Sequence, residues 1–243
     1  QLRESEVREA IDDPFRVGVL IARDSNGMVQ SAVDSLVERY DNPAVEFNVV
    51  DFSQQYIQAC IGCDVCPTPS KVEEITGEGK DYKCIIDEDL DADRWEKDDL
   101  QHLHDQLMGN DALLIAVADV DRIGIDDVYQ ALLERTRYIR RDDWRLNNVA
   151  LAPLVVQEPS MNSIFPMKIM TSWMRHNTLV HPPIVHTALE PDAPIAGEER
   201  AALEAHYNDE AAAQFESFVE SARRFRLAAE RTGPDALSYR ATG

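Results

Sequence analysis

Cysteine and lysine are scarce in this chain, and long apolar runs and internal repeats are missing from it. Without an uninterrupted apolar stretch of about 18 residues there is no candidate membrane span, and the charged opening, Gln1 to Asp13, does not read as a secretory leader. A cytoplasmic protein is expected. Lysine contributes five of 24 basic residues, set against 45 acidic ones, for a formal charge of −21. A surface so acidic argues against nucleic acid as a ligand. No serine or cysteine sits in a nucleophile-elbow or triad context, so no acyl-transfer chemistry is indicated.

The acids are spread along the chain rather than gathered in a tail. That pattern suits a solvated halophilic surface, since at 1 M salt the Debye length is only about 3 Å and self-repulsion is hidden. An acidic docking face for a basic partner is the other reading.

The four cysteines lie within 25 positions, as Cys60-Ile-Gly-Cys63-Asp-Val-Cys66 and then Cys84. In a reducing compartment such clustering points to metal ligation or redox use more than to disulfides. A thiolate every third residue on a glycine-containing turn lets several sulfurs face one centre, as an iron–sulfur or zinc site requires. Buried or pocket-lining thiols without metal remain the other possibility.

Apolar runs alternate with helical patterns along the chain. Arg16 to Ala22, Val45 to Phe52, Asp111 to Ala118 and Val149 to Val156 read as strands, and Leu179 to Thr187 as a fifth, proline-interrupted strand at an edge. Between them, Met28 to Tyr40, Asp93 to Met108, Asp126 to Arg140 and Ile164 to Asn177 read as helices, and Asp209 to Arg231 as one long helix after the last strand. Methionines 167, 170 and 174 are expected in the core. His102 and His104 are expected in solvent, and His176, His181 and His186 lack the spacing of a metal pair. The organisation is a polar helical lead-in (1–14), an α/β domain (15–190), a helical extension (191–231) and a disordered tail (232–243).

Five strands alternating with helices predict a doubly wound parallel sheet, whose ligand sits beyond the carboxyl ends of the strands. The relevant loops are then 23–27, 53–66, 119–124 and 157–163.

The order of parts resembles the flavodoxin-like NAD(P)H-dependent FMN reductases and their iron–sulfur flavoprotein relatives. The resemblance is carried by Asn26-Gly27 after the first strand, the Cys60 to Cys66 segment, Cys84 before Asp87-Glu-Asp89, Asn110-Asp-Ala112 opening the third strand, and Gln130-Ala-Leu-Leu-Glu-Arg135. It spans roughly residues 16 to 187 and implies strand order 2-1-3-4-5, FMN as cofactor, NAD(P)H as hydride donor, an unidentified electron acceptor and a homo-oligomer. The implied cofactor contacts are Arg23, Ser25, Asn26, Gly27, Asp119, Arg122 and Gln157, with Cys60, Cys63, Cys66 and Cys84 either holding a [4Fe–4S] cluster or lining the flavin pocket as thiols. The competing functions are an iron–sulfur flavoprotein acting as an electron carrier and a flavin-free flavodoxin-like scaffold or partner subunit. The chain departs from the family by placing Asp24 where a basic residue is common, and Met28-Val29 where a hydroxyl usually follows Asn-Gly. It also has Asp119-Val-Asp121-Arg122 where proline and aromatic residues usually adjoin the flavin.

Overall fold

The computed structural model describes residues 14–24, 26–53, 55–62, 98–119, 127–137, 139, 146–147, 149–159, 164–189, 193–195 and 197–232. The strands are β1 (Phe15–Arg23), β2 (Val45–Asp51), β3 (Ala112–Asp119), β4 (Ala150–Gln157), β5 (Leu179–Val180) and β6 (Ile184–Thr187). The helices are α1 (Met28–Arg39), α2 (Leu100–Met108), α3 (Asp127–Arg135), α4 (Phe165–Met174) and α5 (Gly197–Thr232). All pairings are parallel, in the order β2-β1-β3-β4-β5, with β6 also against β4. β5 and β6 are the two halves of the expected edge strand, parted at Pro182-Pro183 where no amide is available for the ladder.

The central strands are apolar at nearly every position because both faces are covered. Along β1, Leu20 and Ala22 enter one core while Val17, Val19 and Ile21 enter the other. The first core is closed by Leu103 and Leu107 of α2, Tyr129 and Leu132 of α3, and Ile169 and Trp173 of α4. The second is closed by Val29, Val33 and Leu36 of α1 and by Phe215, Phe218 and Val219 of α5.

Two expectations about helix faces are corrected. Met167 and Met174 are 62% and 59% exposed, because Phe165, Ile169 and Trp173 form the buried stripe of α4 and the methionines fall on the opposite side of a 3.6-residue period. His104 is 3% exposed, on the side of α2 that also buries Leu100, Leu103 and Leu107.

The last helix begins at Gly197, twelve residues before the expected start at Asp209. Its first three turns are mostly solvent-exposed and carry no apolar stripe to announce them. At 1.5 Å per residue its 36 residues run about 54 Å. The helix binds both borders of its face. Tyr40 donates to Glu220 at 2.7 Å on the β2 side, and Gln214 accepts the Val185 amide at 2.8 Å on the β6 side. The lead-in before Pro14, the tail after Thr232, and the first part of the expected helix from Asp93 to Lys97 lie outside the described residues.

Candidate functional site

β1 and β3 are neighbours whose following helices lie on opposite faces of the sheet, so their carboxyl ends define the crevice where such sheets bind ligands. β1 ends in an irregularity of register against β3 between Ile21 and Arg23. Asn26 and Gly27 then take φ of 53° and 76° in succession. Two left-handed residues in a row turn the chain from strand into α1; Gly27 adopts this without steric cost, and asparagine is among the residues that tolerate it.

Gly27 is the N-cap of α1 and has no side chain to cap with. Asp24 does the capping from three residues upstream: its Oδ1 accepts the Val29 amide at 2.8 Å and its Oδ2 the Gln30 amide at 3.4 Å. A carboxylate at this position satisfies two of the four amides a helix start leaves open and complements the helix dipole. These are the groups that would otherwise receive an anion.

Arg23 is buried, and Gln157, the last residue of β4, is half-buried with its carbonyl accepting the Ala188 amide at 2.8 Å. Asp119 ends β3 directly beside Gln157 in register. The structure thus gathers Asn26, Gly27, Asp119 and Gln157 at one edge of the sheet. Ser25 and Arg122 lie outside the described residues.

Beside the Asn26-Gly27 turn is a cleft of about 480 Å³ between α1, α5 and the ends of β4 and β6. Ser31 and Ser35 line it from α1, His186 and Thr187 from β6, and Glu204 and Asn208 from α5. Burial pushes the His186 pKa below its ordinary value of 6.5, and a hydrogen bond with Asn208 opposes this only in part. Neither His186 nor the α5 residues were singled out from sequence as a site, since they come from an edge strand and from the helix start that no periodicity marked.

The cysteine segment follows β2, and its lead-in is held by the two residues before α2 and by α3. Asp99 Oδ2 accepts the Tyr56 amide and Asp98 Oδ2 the Gln58 amide, each at 2.9 Å. Arg135 donates to Asp98 at 2.6 Å and to the Gln58 carbonyl at 3.2 Å. Cys60 is a half-buried free thiol, and Gly62 has a φ of 64°. Cys63, Cys66 and Cys84 lie outside the described residues, so a four-cysteine ligand set rests on spacing alone. Among the described residues no group of three His, Cys, Asp or Glu side chains could hold a metal ion.

Sheet order and layers together define a flavodoxin-like doubly wound fold with an added C-terminal helix. Comparison with solved structures agrees. RosB, crystallised with the bound intermediate 8-demethyl-8-formylriboflavin-5'-phosphate, matches with a TM-score of 0.57 at 16% identity, over 94% of this chain and 91% of that one. The flavodoxin WrbA-like protein from Agrobacterium tumefaciens matches at 0.49 and 7% identity, over 87% of this chain and 99% of that one. FerB, an NAD(P)H:(acceptor) oxidoreductase from Paracoccus denitrificans, matches at 0.46 and 12%, over 84% and 98%. At 16% identity the likeness to RosB is one of fold. No family model and no curated protein matches the chain. Among the described residues no helix is long and apolar enough to cross a membrane.

Proposed function

We propose that the chain is a flavin-dependent oxidoreductase that takes hydride from NAD(P)H and passes electrons to a second acceptor. The observation that carries this reading is the meeting of a left-handed Asn26-Gly27 turn, the paired ends of β3 and β4, and a cleft of ligand size at the carboxyl edge of a flavodoxin-like sheet. RosB, whose fold the chain shares over nearly its whole length, holds a flavin derivative.

The flavin supplies the hydride and electron chemistry itself; the protein's work is to bind, orient and shield it. The Asn26-Gly27 turn brings backbone close to the ligand, and Gln157 and the end of β3 flank the crevice. No catalytic acid or base is called for. The nicotinamide nucleotide and the acceptor are the small-molecule and redox partners of this reading, and a homo-oligomer is the assembly it carries with it.

The turn fits a flavin in shape but not an FMN phosphate in charge, because Asp24 already holds the Val29 and Gln30 amides. That same contact favours a second reading, a flavin-free scaffold that keeps the sheet. Titration of the purified protein with riboflavin and with FMN, followed by flavin fluorescence, separates the two. Saturable binding of either flavin, with NAD(P)H oxidation dependent on it, supports the oxidoreductase. Failure to bind any flavin leaves the scaffold.

A further inference from the structure

We propose that the Asn26-Gly27 turn at the start of α1 and the cleft beside it select a flavin whose side chain ends in neutral hydroxyls over one that ends in a phosphate monoester, with Asp24, the cap of α1, as the specificity-determining residue. The inference rests on the flavin reading and deepens it by naming the form of the ligand.

A helix start attracts phosphate because its first amides point outward unpaired and its dipole favours negative charge. In α1 the Val29 and Gln30 amides donate instead to the half-buried Asp24 carboxylate. An incoming phosphate must displace that carboxylate from its partners or lie against it. Either course opposes binding, the first by stranding a partly desolvated charge and the second by like-charge repulsion.

The cleft gives an independent reason. Among the described residues, no lysine or arginine lines it, and its one lining carboxylate, Glu204, is paired with Arg200 at 2.9 Å. Arg23, next to Asp24 in sequence, is buried and is not among the lining residues. Among the described lining residues His186 is the one side chain able to carry positive charge, and burial shifts it toward its neutral form. What the cleft does offer is Ser31, Ser35 and Asn208, which donate or accept, and the Glu204 carboxylate, which accepts from hydroxyls. A polyol chain finds partners there, whereas a phosphate meets the Asp24 carboxylate at the start of α1 and, among the described lining residues, no lysine or arginine.

The test measures dissociation constants for riboflavin and FMN, separately and in one buffer near neutral pH, for wild type, Asp24→Asn and Asp24→Ser. Both replacements keep an acceptor for the α1 amides and remove the charge. Wild type is expected to bind riboflavin about tenfold or more tighter than FMN, and the variants to bring FMN within about threefold of riboflavin by tightening FMN. FMN binding as tight as riboflavin in wild type, or a ratio that neither variant moves, overturns the inference and leaves the flavin reading standing. A protein that binds neither flavin overturns both. Should the variants fail to fold, the wild-type ratio decides alone.

Discussion

Arg135 and Asp98 form an ion pair that solvent does not reach: the atoms are 2.6 Å apart and the side chains are 1% and 0% exposed. Through Gln58 the pair fixes the chain just before Cys60. Removing one member of a buried pair strands the other, at a cost of about 3–5 kcal/mol. Arg135→Met is expected to lower Tm by on the order of 10 °C. In a cycle with Asp98→Asn, measured by urea unfolding, the double variant should fall short of the summed losses by about 1–3 kcal/mol. Strict additivity would contradict the coupling.

A Cβ on Gly18 would lie 2.5 Å from Asn110 Nδ2 and 3.1 Å from a Leu113 methyl. Asn110 cannot easily withdraw, since its oxygen accepts from Asn48 at 2.9 Å and its amide donates to the Gln106 carbonyl. Gly18→Ala should therefore destabilise by about 1–3 kcal/mol, the range for overpacking. An unchanged denaturation midpoint would show that the contact relaxes freely.

The parts of the fold that were legible in sequence are those buried on both sides. β1, β3 and β4 announce themselves as apolar runs, and Pro182-Pro183 marks where the edge strand breaks. The start of α5 was not legible because a helix in solvent has no stripe, so residues 197 to 208 look like any polar segment. At the site, Asn26-Gly27 was readable as a turn. The role of Asp24 was not, because capping is normally sought at the residue next to the helix and here it comes from three positions further back. The Asp98–Arg135 pair joins residues 37 apart in sequence, and no local pattern connects them.

Stability should rise with salt. Between about 0.1 M and 1 M the Debye length falls from about 10 Å to 3 Å, which relieves repulsion in a chain of formal charge −21. Thermal melts across that range are expected to show a steady increase in Tm. A flat or falling series would favour a local acidic docking face instead.

His186 should make stability fall on mild acidification. Its folded pKa lies below the ordinary 6.5, so the unfolded chain takes up the proton first. Stability from this group is present above about 6.5, is lost as pH drops from there toward the folded pKa, and changes no further below it. His186→Gln removes this term. The Tm difference, wild type minus variant, should shrink or reverse between about pH 7.5 and 5, and a constant difference would count against it.

If the four cysteines hold a cluster, anaerobically purified protein should contain about four irons and four sulfides per chain, lost in Cys63→Ser. If they line the pocket as thiols, four should titrate in metal-free protein after denaturation. Iron and sulfide analysis beside a thiol assay decides between these outcomes.

The helix α5 has a consequence for the order in which the molecule can be completed. It supplies Phe215, Phe218, Val219 and Ala222 to the α1-side core, and its polar ties reach both the β2 and the β6 borders. During synthesis, the β1–β3–β4 sheet can therefore form and be covered by α2, α3 and α4 on one face while the other face has only α1 to cover it. The part of that face left to α5 stays adhesive until residues 211 to 222 have left the ribosome. For this chain the hazard of self-association is concentrated in the interval between translating the last strand and translating the last helix, and a ribosome stalled there would hold a nascent chain that chaperones must shield.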